Sequence, residues 1–203
     1  MSDAVLGCNE IERLPHHAMV FVYIVRCKFT APDKEAAWNT WYGGPKIVQM
    51  LAQPYFRSCQ RFRRTSGTGR DYLALWTVQS PEALKTPQYT AQWGFAEWSP
   101  YITDWSRDLF DGGARSETDF AVPTGNMLHV VSFDGGAAAD ADMARAAQPN
   151  MMWLPVIGLD RHTPMIGLRR FSEGAADSPA PGSSAAEHTI YRPISDFHVS
   201  AQS

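Results

Sequence analysis

The chain has 203 residues, 44% hydrophobic and 19% charged, with a formal net charge of −3. That length holds one large domain or two small ones around a real core, and the weak charge argues against recruiting nucleic acid or an anionic membrane through an overall field. Three cysteines (Cys8, Cys27 and Cys59), with no CxxC spacing, argue against a disulfide framework and a cysteine-built zinc site.

Residues 1–17 read as a loose arm with no secretion signal, and the longest apolar run, near Met19–Val25, is too short to span a bilayer. A cytoplasmic location is the expectation. Ala18–Phe29 is β-branched and aromatic and predicts a strand. Thr30, Pro32 and Asp33 then open a helix running to about Tyr42. Gly43 is placed to end it in the left-handed conformation, and Pro45 to open a second short helix that stops at Pro54. Tyr55–Arg64 predicts a strand, "TSGTGR" a turn, and Asp71–Gln79 a third strand. Ser80-Pro81-Glu82 and Thr86-Pro87 are two successive helix starts. Tyr101–Phe110 is a fourth strand, which makes the order β-α-β-β-α-β, the ferredoxin-like arrangement.

Residues 112–125 have the composition of a linker, and then the pattern resumes. Met127–Phe133 predicts a strand and Ala139–Gln148 a short helix. Met151–Leu159 and Pro164–Phe171 are strands around the turn "DRHT". Glu173–Glu187 is a flexible Ala/Pro/Ser loop standing where a second helix belongs. His188–Val199 is strand-like. The fold expected is α+β: two ferredoxin-like repeats, 18–111 and a degenerate 126–203, packed sheet to sheet as a pseudo-symmetric barrel. Each repeat has one bare sheet face, and packing the two together buries both.

The opening strand, the helix "WNTWY", "PYFRSCQRFRR", "YLALWTVQSPEALKTPQY" and "EWSPYITDWSRDLF" together resemble the dimeric α+β barrel superfamily. EthD-like proteins and the antibiotic-biosynthesis monooxygenase group are the most similar branches. The resemblance covers about residues 18–111. It implies a barrel enclosing a pocket, here within one chain, with a homodimer also allowed. Relatives include cofactor-free monooxygenases, polyketide cyclases, lyases, isomerases, haem enzymes and stress proteins. Many EthD-like members place a histidine soon after the aromatic helix, where this chain has Gly43-Gly44-Pro45-Lys46.

Strand alternation divides the first strand into Val20, Val22 and Ile24 on one face and Phe21, Tyr23, Val25 and Cys27 on the other. The second set is larger and has a polar handle, so it is assigned to the barrel interior. The matching face of the second half carries Met127, His129, Val131 and Phe133. His129 is then a titratable group in an apolar strand, set across from Tyr23; the plain alternative is a core histidine. Arg57, Cys59, Arg61 and Arg63 share a face, and an inward Arg57 or Arg61 would hold a carboxylate or an enolate oxygen. Tyr72, Trp76, Asp104, Arg169, Tyr191 and Trp41 are further candidates for a pocket wall. No protein-held metal is expected, because no His/Cys cluster has ligand spacing.

With no nucleotide fingerprint and no GxSxG, the chemistry expected is proton transfer without an organic cofactor, on a small aromatic or polyketide-like substrate. His129 is the expected base, Tyr23 the hydroxyl donor, and Arg61 the oxyanion partner of a lyase, cyclase or isomerase. The alternatives are a cofactor-free or haem monooxygenase, separated by oxygen consumption, and a non-enzymatic binding or stress protein. The last gains if side chains fill the barrel interior.

Overall fold

The computed structural model describes residues 19–174 and 186–201. The expected arm at 1–17, with His16 and His17, and most of the 173–187 loop lie outside them. Among the described residues nine strands form: β1 (Phe21–Phe29), β2 (Phe56–Gly67), β3 (Tyr72–Val78), β4 (Ile102–Asp111), β5 (Asn126–Ser132), β6 (Met152–Leu159), β7 (Met165–Ser172), β8 (Glu187–Pro193) and β9 (His198–Val199). Their order is β3-β1-β4-β6-β7-β5-β8-β2-β9, and β2 also pairs with β3. The first eight strands therefore close on themselves, and every pairing in the ring is antiparallel. Within the first half the strands lie β2-β3-β1-β4; within the second, β6-β7-β5-β8. Both follow the ferredoxin-like order, and β4–β6 and β8–β2 are the two seams.

The barrel interior is an apolar core. Val22 and Ile24 of β1 meet Phe62, Leu73, Leu75, Phe110, Leu128, Val130, Leu154, Ile166, Leu168 and Tyr191 in one buried cluster. Only the inside of a closed barrel brings side chains from eight strands together. The face assignment made from alternation is therefore reversed. Tyr23, Val25 and Cys27 point outward, into a second core beneath the helices with Trp38, Tyr42, Ile47, Met50, Phe56, Cys59 and Trp76. Val131 and Phe133 likewise point outward, under a helix of the second half. On β2 a bulge between Phe56 and Ser58 shifts the register, so Phe56 joins the outer core while Ser58, Gln60 and Phe62 follow the inner parity.

The helices of the first half are α1 (Glu35–Trp41), α2 (Ile47–Leu51) and α3 (Pro87–Gln92). α3 starts as its sequence predicts: Thr86 accepts a bond from the Tyr89 N–H, and Pro87 sits in the first turn. The expected break at Gly43 does not occur. Gly43 stays out of the left-handed region, and α1 runs into α2 through a π-helical turn, Tyr42–Lys46. A proline inside a helix lacks an N–H and crowds the carbonyl four residues back. Widening the turn by one residue accommodates Pro45 without ending the helix.

In the second half α4 (Ala138–Ala147) follows β5 and covers Val131 and Phe133 through Ala141 and Ala144. The segment between β4 and β5, expected as a linker, is more than a spacer. It sends Phe120 and Val122 into the barrel core. Gln60 fixes it there, donating from Nε2 to the Val122 carbonyl at 2.9 Å and accepting the Val122 N–H at 2.8 Å. On the inner parity of β1, buried Arg26 donates to Ser132 Oγ at 2.9 Å and Asp134 Oδ1 at 2.8 Å, and lies 3.5 Å from Asp108. Asp134 also pairs with Arg70, so the buried charges are compensated as burial requires. No helix among the described residues is long and apolar enough to cross a membrane.

Candidate active site between the first sheet and its helices

An aromatic cavity lies outside the barrel, between the outward face of the first half and its helices. β1 supplies Tyr23 and Val25, β3 supplies Trp76, and β4 supplies Trp105 and Arg107. The π turn supplies Tyr42 and Lys46, α2 supplies Met50, and α3 with the loop after it supplies Tyr89, Trp93, Gly94 and Phe95. The slot is narrow, about 20 Å³ of free space, so a ligand larger than water enters only as the surrounding side chains move aside. Its mouth is formed by Trp93 and Trp105, 41% and 39% exposed. The Arg107 guanidinium lies 4.2 Å from the Trp93 ring centre and 5.4 Å from that of Trp105, and pairs with Asp160 at 3.4 Å.

Inside, the Tyr23 and Tyr89 hydroxyls bond to each other at 3.0 Å. Burial raises the Tyr23 hydroxyl well above the ordinary phenol range and raises Tyr42 too, so both stay protonated. Lys46 is 4% exposed and donates to the Gln92 carbonyl. Desolvation pulls its amine down from 10.5 to about 8. Behind Tyr42 lies Arg61, 2% exposed, lining a smaller gap that shares Val25, Tyr42 and Phe95 with the slot. Its guanidinium donates to Asn39 at 3.2 Å (carbonyl) and 2.8 Å (Oδ1), and lies over the rings of Tyr42 at 4.2 Å and Trp38 at 4.9 Å. No carboxylate among the described residues forms an ion pair with it. Beside it, burial pushes the Cys27 thiol up to about 12 and raises Cys59, so neither is a thiolate at neutral pH. The result is an apolar slot lined by two basic groups, Lys46 and Arg107, with Arg61 behind its inner wall, two bonded phenols and no lining acid. It suits a flat molecule that is, or becomes, an oxyanion.

Of the residues singled out from sequence, Tyr23 and Trp76 line the slot, Arg61 and Tyr72 line the gap behind it, and Trp41 stands at the edge, 5.9 Å from the Lys46 amine. Tyr72 donates to Glu35 and accepts from Asn39 at 3.0 Å. The others are elsewhere. His129 is buried on β5, shares a 3.1 Å hydrogen bond with His188 on β8, and sits opposite Arg169 of β7. Tyr23 and His129 point away from the barrel on opposite halves, so they do not meet. Tyr191 is a core residue of the barrel, donating to the Arg70 carbonyl at 2.8 Å. Asp104 is exposed, with φ +44°, and pairs with Lys28 at 2.9 Å and Arg70 at 3.1 Å. Arg57 is half-buried and donates to Gln79. Sequence reasoning missed Tyr42, Tyr89, Trp93, Phe95, Trp105 and Arg107. It noticed Lys46 only as part of the Gly-Gly-Pro break. A lysine followed by Ile47-Val48 and preceded by an aromatic helix was the available signal.

No family model matches the chain, and no curated protein does. Solved structures do match in fold. An anthrone oxidase-like protein aligns with TM-score 0.61 at 10% identity, covering 91% of this chain and 94% of its own. A mutant chlorite dismutase from Candidatus Nitrospira defluvii aligns at 0.52 and 8% identity, covering 86% and 92%. A monooxygenase candidate from Lactobacillus acidophilus aligns at 0.50 and 8%, covering 89% and 99%. The chain has the ferredoxin-like α+β barrel fold. At these identities the likeness is one of fold, and the site must be read from its own residues.

Proposed function

We propose that the chain is a cofactor-free oxygenase for electron-rich aromatic hydroxy compounds or anthrone-type ketones. The observation that carries this reading is the slot itself: aromatic walls, an amine that is partly neutral near pH 8, and guanidinium groups at the mouth and behind the inner wall. A substrate with an acidic C–H or O–H gives its proton to neutral Lys46. Arg61 or Arg107, with the Tyr23–Tyr89 hydroxyls, stabilises the oxyanion. That anion is electron-rich enough to reduce dioxygen directly. For a methylene substrate, one methylene group and one dioxygen give one ketone carbonyl and one water. One oxygen atom enters the new carbonyl, and the other leaves as water with the two methylene hydrogens. The names of the fold neighbours favour this over the lyase, cyclase or isomerase reading. A haem does not fit this slot, because no histidine lines it and His129 lies on the other half of the barrel.

We also read the halves as internal repeats forming a pseudo-dimer, supported by their shared strand order. A cytoplasmic home suits the unpaired, buried Cys27 and Cys59, and a homodimer is compatible with the exposed Trp93–Trp105 rim. The filled barrel interior favours a binding role over catalysis inside it, but the outer slot is a separate site. The test is oxygen uptake with anthrone and 1-naphthol as probes. Uptake matching substrate loss one to one supports an oxygenase. Conversion without uptake returns the isomerase reading, and binding without conversion returns the binding protein.

A further inference from the structure

We propose that Lys46 is a carbonyl-reactive amine, which takes an aromatic aldehyde or ketone lying in the slot as a covalent imine. The chain has four lysines, and three are ordinary. Lys28 pairs with Asp104 at 2.9 Å, Lys85 with Glu82 at 2.8 Å, and exposed Lys34 donates to the Tyr101 hydroxyl at 2.6 Å. Lys46 differs in every respect. It is buried, it has no carboxylate among the described residues, and it has one acceptor, the Gln92 carbonyl, for three ammonium N–H donors. An ammonium so placed leaves donors unsatisfied in an apolar wall, which favours the neutral amine. The Gln92 carbonyl ends α3, where a helix favours a cation, but the lowered titration of Lys46 says that desolvation wins.

A neutral amine among aromatic rings is what imine chemistry needs, because the lone pair is the nucleophile and burial frees it from a proton. At pH 8 about half of such a group is neutral, against about 0.3% for one titrating at its ordinary value. The nitrogen attacks the carbonyl carbon, and the carbonyl oxygen takes up a proton. The carbinolamine then loses water and leaves C=N, so that one aldehyde and one lysine amine give one imine and one water, with no oxidant or reductant. Tyr23 and Tyr89 line the same slot, and their hydroxyls are the acids that would help water leave. The proposal rests on the slot being the ligand site, as above, but not on oxygen chemistry.

The whole chain is treated at pH 8 with 2-naphthaldehyde and sodium cyanoborohydride, whose hydride reduces an imine to a stable secondary amine. Peptide mapping by mass spectrometry then gives the labelling rate at each lysine. Lys46 is expected to label at least about ten-fold faster than Lys28, Lys34 or Lys85, and excess 2-naphthalenemethanol should slow Lys46 alone. Labelling of Lys46 no faster than the other three overturns the proposal. So does fast labelling that the competitor leaves unchanged, since the aldehyde is then not in the slot. K46R should lose the Lys46 label and keep the others; the wild-type ranking decides the matter even where that variant does not fold. Fast, competed labelling without oxygen uptake keeps the imine and removes the oxygenase; oxygen uptake with slow labelling does the reverse.

Discussion

Lys46 ties stability to pH. Its amine titrates at about 8 folded, against the ordinary 10.5. Between those values the unfolded chain binds more protons, so stability rises with pH through that window. Below pH 8 both states are protonated and the cost of burying the charge is fully present. K46M is therefore expected to raise the thermal midpoint at pH 6.5, by the equivalent of about 2–3 kcal/mol, with the gain fading toward pH 10.5. Melting curves of both proteins across that range check it; a gain that grows with pH would contradict the assignment. This is also the scale at which the sequence was least readable. His129 drew attention by its chemical type, yet its place was set by which face of β5 turned outward. Lys46 drew notice only as the end of the Gly-Gly-Pro break, because its burial comes from α3 and the Trp93–Phe95 loop, some forty residues along the chain.

At the level of elements the strands were legible, because β-branched and aromatic runs bounded by turn residues mark them. Their orientation was not. Period-two alternation sorts residues into two faces, but it names the core only when one face is polar. Here helices cover the outside of the first sheet, and β3 is buried along its whole length, Tyr72–Val78. Both faces are apolar, and the larger face proved to be the outer one. The helix signals misled for a related reason: Gly43-Gly44-Pro45 has the letters of a stop, but packing of Trp38, Tyr42, Ile47 and Met50 on one sheet keeps the helix going. Two glycines beside the slot should therefore respond oppositely to alanine. Gly44 has an ordinary φ and open space where a Cβ would stand, so G44A should stabilise by about 0.5–1 kcal/mol. Gly94 has equal space but φ +91°, so G94A should destabilise by about 1 kcal/mol or more. Urea midpoints of the two variants measure the contrast, and shifts of the same sign would refute it.

For the whole molecule, the closed ring of strands was foreseen, as two bare sheet faces packed together. What they enclose was not. A pocket was expected inside, whereas Phe120 and Val122 from the linker help fill the core. Linker composition hid this, because two apolar residues among Gly, Ser, Thr and Asp do not look like a plug. Gln60 is the latch, and Q60A should lower stability by about 1–3 kcal/mol through two lost hydrogen bonds. Lys46 labelling should stay unchanged, since Gln60 faces the inside and the slot lies outside. A slowed label in Q60A would mean that the two compartments are mechanically linked.

The seam between β2 and β8 has a kinetic consequence. Phe62 pairs with Pro193 and Gly67 with Thr189, partners more than a hundred residues apart, and such distant pairings form slowly. Every residue lining the slot lies between Tyr23 and Arg107. During vectorial synthesis the slot can thus be assembled while the sheet that carries it still has an unpaired edge on β2. The ring shuts only when the final strands emerge. The nascent chain would pass through a stage in which the slot is in place before the barrel is closed, with that edge of β2 the surface most in need of shielding until closure.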